Sequence, residues 1–72
     1  MSKFRVTAST GGAFPVGVQI GPSTRSLLGA TNIAIHSALQ EGLTLTVADP
    51  TGLAVRRVRP AVGVGYEIEE PV

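Results

Sequence analysis

Apolar residues alternate with polar or small ones along several stretches of the chain, and the alternation is cleanest between residues 43 and 59. Leu43, Leu45 and Val47 interleave with Thr44, Thr46 and Ala48, the period of two expected of a strand with one buried face. Asp49-Pro50-Thr51-Gly52 follows. Pro50 sets the φ that the second position of a turn requires, the Asp49 carboxylate can accept from amides two residues on, and Gly52 tolerates positive φ. The pattern predicts a hairpin. On its return, Leu53 and Val55 are expected on one face, with Ala54, Arg56 and Val58 on the other. Arg57 interrupts the apolar face, so the far end of this strand is expected to meet solvent or a partner.

Other runs read the same way. Over residues 3–9, Phe4, Val6 and Ala8 face opposite Arg5, Thr7 and Ser9 and predict a first strand. Thr10-Gly11-Gly12-Ala13-Phe14-Pro15 reads as a loop. No Lys-Ser/Thr pair follows its glycines, so the phosphate-loop pattern fails. Val16, Val18 and Ile20 predict a second strand, antiparallel to the first and ended by Gly21-Pro22. Near the end, Val62, Val64, Tyr66 and Ile68 form an apolar face opposite Ala61, Gly63, Gly65, Glu67 and Glu69. Gly63 and Gly65 there mark a bend or admit a close approach by another backbone or a ring. If the last two strands reverse around Arg59-Pro60-Ala61, Arg56 or Arg57 is expected near Glu67. The tail Glu70-Pro71-Val72 is expected to fray or to engage a partner.

Residues 23–42 fit two templates. As a helix, Leu27, Leu28, Thr31, Ala34, Ile35, Ala38 and Leu39 make one stripe, Ser23 or Ser26 caps the start, and Gly42 stands where a helix-ending glycine belongs. As a strand, Ile33, Ile35, Ser37 and Leu39 alternate with Ala34, His36 and Ala38. Gly29 counts against an unbroken helix by about 1 kcal/mol relative to alanine. A helix over residues 32–41 is the preferred reading. The fold class is therefore mainly β, a small antiparallel sheet as a half-barrel or compact sandwich with one short helix, and all-β as the alternative.

Size limits how such a fold is stabilised. The 72 residues form one small domain, residues 1–72, and chains of this length bury only about 60% of the surface exposed on unfolding. Oligomerisation, disulfides or metals usually supplement so small a core. The sequence has no cysteine and one histidine, His36, which excludes disulfides and thiolate metal sites and leaves oligomerisation or docking on a larger partner, with a well-packed monomer as the alternative. Charged residues are 15% of the chain and the net charge is +1; the mean hydropathy is +0.29. Charge is normally nearer a quarter, which fits a surface much of which is covered by neighbours or, alternatively, one solvated by Thr, Ser and Gly without charge.

Candidate chemistry is sparse. No motif sets a carboxylate or hydroxyl beside His36 at a recognised catalytic spacing, so an enzyme is not expected, nor any cofactor. Glu67, Glu69 and Glu70 lack the further oxygen ligands of a calcium loop. Arg56, Arg57 and Arg59 form the only basic cluster, and with Tyr66, Gly63 and Gly65 they make the expected partner-binding surface. The leading reading is a non-enzymatic structural or interaction protein that oligomerises or docks on a larger protein assembly. A small barrel that binds nucleic acid through the three arginines, with Tyr66 or Phe4 stacking, is one alternative. A small inhibitor or antitoxin-like regulatory partner is another. In its size, low charge, lack of cysteine and Thr/Val/Gly-rich strands the chain resembles phage head decoration or cement proteins, a likeness of composition that covers no motif. Met1-Ser2-Lys3-Phe4-Arg5 precedes no apolar leader and no run reaches the length of a membrane span. A cytoplasmic location is expected, or the virion if the phage reading holds, with no membrane partner.

Overall fold

The 43–59 alternation forms the centre of a four-stranded antiparallel sheet in order β1-β2-β3-β4. The computed structural model describes residues 3–10, 17–63 and 65–70. Strand β1 is Arg5–Thr10, β2 is Thr44–Ala48, β3 is Ala54–Ala61 and β4 is Gly65–Glu69, with helix α1 at Leu27–Glu41 between β1 and β2. The expected mainly β fold with one short helix is what forms. Residues 11–16, where most of the glycine loop lies, are outside the described residues, as are Val64 and the last two residues.

Register follows the hydrophobic pattern. Val6 pairs with Val47 and Ala8 with Leu45; Leu45 pairs in turn with Val58. All five side chains are fully buried, and Leu43 joins them below the helix. Beyond β1, residues 17–24 extend the sheet without forming a regular strand. Their bonds run Ala8 N–H to Val18 C=O (3.0 Å), Ile20 N–H to Val6 C=O (2.8 Å), and both ways between Phe4 and Thr24 (2.7 and 2.9 Å). Of the second strand expected from Val16, Val18 and Ile20, Val18 and Ile20 do pair with β1, through isolated bonds and not as a regular strand, and Val16 lies outside the described residues.

Helix α1 begins five residues before the expected start at residue 32, and its caps explain why. Ser26 is the N-cap, in extended conformation, and its Oγ accepts from the Gly29 amide at 3.0 Å. Gly29 thus sits in the first turn, where its amide is satisfied by the cap. Gly42, in the left-handed region, closes the other end with its N–H on Ala38 C=O. The buried stripe is Ala30, Thr31, Ala34 and Ala38. Leu28 and Leu39, expected within that stripe, are instead 68% and 54% exposed. Small residues seat the helix close to the sheet, and the leucines fall to its flank.

The turn forms as expected, but the return strand does not. The Asp49 carboxylate accepts from Thr51 N–H, Thr51 Oγ1 and Leu53 N–H at 2.9, 2.6 and 2.9 Å. Val47 pairs with Arg56 while Ala48 pairs with Ala54, so Val55 is the extra residue of a bulge. The bulge changes the parity of the strand. Val55 packs against the core from the same side as Val58, and Leu53, expected in the core, is 66% exposed at the turn. β3 then continues through Pro60 to Ala61, so the last reversal falls after Ala61 and not around Pro60. Val62 is fully exposed at that reversal, which removes it from the expected apolar face of the last strand.

Leu45→Ala should cost about 2–5 kcal/mol, as deletion of a fully buried leucine does, and Leu53→Ala less than about 0.5 kcal/mol; urea unfolding of the two variants checks the contrast. The hydrogen bond from Thr51, with those from the turn amides, holds the Asp49 pKa below its ordinary value. The stabilisation linked to this shift is present above the ordinary aspartate pKa and is lost as pH falls through the depressed one. A carboxyl-carbon NMR titration should therefore place the Asp49 midpoint below the usual value of about 3.9.

Candidate functional site

The three arginines do not form one cluster, because successive residues of a strand face opposite sides. Arg56 lies on the helix side opposite Val47, where its Nη1 donates to the Thr31 hydroxyl at 3.2 Å. Arg57 and Arg59 lie on the other, uncovered side. Arg57 pairs with Glu69 at 3.2 Å, and Arg59 with Glu67 at 2.9 Å and Glu69 at 3.4 Å. Glu67 therefore meets Arg59, not the expected Arg56 or Arg57, since β3 runs longer than the early reversal allowed. Tyr66 pairs with Pro60 and packs on the core from the helix side, opposite the two ion-paired arginines. Gly63 and Gly65 both have positive φ, 98° and 93°, as the β3–β4 reversal demands. A Cβ on Gly65 would come 3.0 Å from Leu39 Cδ2, so helix α1 approaches β4 closely there.

The uncovered face is polar and balanced in charge around β3 and β4. Thr7 pairs with Thr46 across β1 and β2, the Ser9 hydroxyl bonds that of Thr46, and the ion pairs complete the row. Arg5, Thr7, Gln19, Thr46, Ala48 and Ala54 help line an open concavity of about 380 Å³. A second dent of about 350 Å³ lies between Ile20 and Ile33, with His36 at its rim. Among the described residues no group of three or more His, Cys, Asp or Glu side chains is placed to hold a metal ion.

The edge at β4 is different in kind. Hydrogen-bonding direction alternates along an antiparallel strand, and the bonds at the opposite edge set the phase for the whole sheet. Phe4, Val6 and Ala8 direct their backbone groups outward to residues 17–24, so Arg5 and Thr7 bond β2. Following the register through Thr7 and Thr46, Leu45 and Val58, then Arg57 with Glu69 and Arg59 with Glu67, the β4 residues that bond β3 are Glu67 and Glu69. The N–H and C=O of Tyr66 and Ile68 therefore point to the free edge, which no described residue covers.

Apolar side chains flank that edge. Ile68 is 42% exposed, and Leu28 and Leu39 are eleven residues apart, about three helical turns, which puts them on one stripe of α1. Leu39 marks where that stripe meets β4. Sequence reasoning had all three side chains in the core and so missed them as surface. The predicted stripe, seven positions from Leu27 to Leu39, has the width of an ordinary amphipathic helix, so no signal in it marked Leu28 and Leu39 as surface.

Comparison with protein-family models, with curated proteins and with solved structures finds no match. Among the described residues, no helix is long and apolar enough to cross a membrane. Arg57→Ala or Arg59→Ala should lower the stability of the isolated fold by no more than about 1 kcal/mol, because pairs this exposed are screened by water; thermal melts at low and high salt check this, the difference from wild type shrinking with salt.

Proposed function

We propose that this chain is a non-enzymatic structural or interaction protein that oligomerises or docks onto a larger protein assembly along β4, with a virion head as the most concrete assembly. The observation that supports the reading is the backbone of Tyr66 and Ile68, unpaired among the described residues, beside exposed Leu39 and Ile68. Exposed apolar residues scattered singly carry no message. Here they lie beside an edge whose backbone groups lack partners among the described residues, the combination that strand addition uses: main-chain bonds supply attachment and alternate side chains supply selectivity. The low charge fits the same reading, since β4's open side carries glutamates already balanced by arginines. A shell of repeated protein subunits offers many equivalent edges to such a strand, and the virion is the case its composition suggests.

The Leu39→Ser/Ile68→Ser double variant should keep the wild-type far-UV circular dichroism and lose co-sedimentation with purified phage head shells. The burial of each side chain contributes about 1.5–3 kcal/mol, so at least a tenfold loss of affinity is expected. A double variant that pellets like wild type, or a wild-type chain that pellets with no shell tested, contradicts the reading.

A further inference from the structure

We infer that the partner at the β4 edge is a second copy of this chain, paired antiparallel about a two-fold axis at Glu67. The inference rests on the reading of β4 as an interaction edge and takes its oligomerising form, with a second copy in place of a foreign strand. Strand β4 is Gly65–Glu69 with Glu67 at its centre, and its outward backbone groups belong to Tyr66 and Ile68, one on each side of that centre. A two-fold at Glu67 sets Tyr66 of one copy opposite Ile68 of the other. The outward N–H and C=O groups of both residues are then satisfied within the pair. On the helix side this places an aromatic ring against a β-branched side chain, a favourable cross-strand combination. The two helices lie on the same face of the doubled sheet, and the Leu28–Leu39 stripe of each flanks the shared seam.

The strand's own symmetry singles out the copy: Tyr66 and Ile68 stand on either side of Glu67, so a second β4 supplies both partners in one register. The open side of β4 presents Glu67 and Glu69, which would ordinarily attract a basic strand, but each already pairs with an arginine of its own chain. A basic partner would meet Arg57 and Arg59 as well as the glutamates. A second copy brings the same balanced rows. Its one demand is that the facing Glu67 carboxylates stay compensated, and the Arg59 Nε at 2.9 Å provides that in each chain. A two-fold one residue further on, at Ile68, would instead set Glu67 against Glu69 of the second copy twice over.

Sedimentation velocity over a dilution series tests the inference. Wild type should shift from dimer to monomer on dilution. Ile68→Pro should be monomeric throughout, because it removes an outward N–H and none that bonds β3. Arg59→Ala, which leaves β4 unchanged but uncovers two facing carboxylates, should raise the dimer dissociation constant roughly tenfold, and Glu67→Gln added to it should restore the wild-type constant. Wild type that stays monomeric at every concentration, or a dimer indifferent to both Ile68→Pro and Arg59→Ala, overturns the inference. A monomer that still pellets with head shells, and loses that binding in the Leu39→Ser/Ile68→Ser variant, overturns the second copy while leaving the docking reading standing.

Discussion

The close seating of α1 on the sheet is the contact from which the rest of the structure follows. Ala30, Ala34 and Ala38 are buried to within 1% of complete exclusion, and their small side chains bring the helix axis near the strands. A helix is about 10–12 Å across and each strand adds about 4.8 Å of width, so one helix covers roughly two strands. It rests chiefly over β2 and β3, where Leu45, Val47 and Val58 are fully buried. Strand β4 lies at the margin of that cover. The exposure of Ile68 and of the Leu28–Leu39 stripe is thus a geometric result of a single narrow covering layer. In a larger domain a further helix would close that flank.

The same constraint explains the composition of the uncovered face. With no layer on that side among the described residues, the alternate residues of β1 and β2 include Arg5, Thr7, Thr44 and Thr46, and those of β3 and β4 are arginines and glutamates in matched pairs. These exposed pairs contribute little to stability. They leave the strip beside the β4 edge balanced in charge, each glutamate beside an arginine of its own chain. Arg56 lies apart from them, reaching a threonine whose hydroxyl already bonds the Leu27 carbonyl at 2.7 Å, and it joins helix to sheet instead of offering a charge to solvent.

Much of the fold was legible because local signals agreed. Leu43, Leu45 and Val47 kept their period, Asp49-Pro50-Thr51-Gly52 made its turn, and Ser26 and Gly42 were among the caps named for the helix. What was not legible depended on a residue-level irregularity or on a neighbour. The bulge at Val55 reverses which side chains of the return strand face inward, and no residue type announces it, so Leu53 was placed in the core. The choice between Ala30 and Leu28 as the buried position depends on how near the sheet lies, a tertiary fact. Of the surface expected to bind, Arg56, Arg57, Arg59, Tyr66, Gly63 and Gly65 do gather on the β3–β4 hairpin, yet on two faces and at a turn. The unpaired edge beside them emerges only when the register is traced across every strand.

Amide hydrogen exchange along β4, followed residue by residue by NMR at high and low protein concentration, tests that edge most directly. In the dilute chain the Glu67 and Glu69 amides should be protected by β3 while those of Tyr66 and Ile68 exchange freely, and at high concentration all four should be protected together. Tyr66 and Ile68 amides that stay protected however far the protein is diluted, or that remain open at every concentration, would contradict the account.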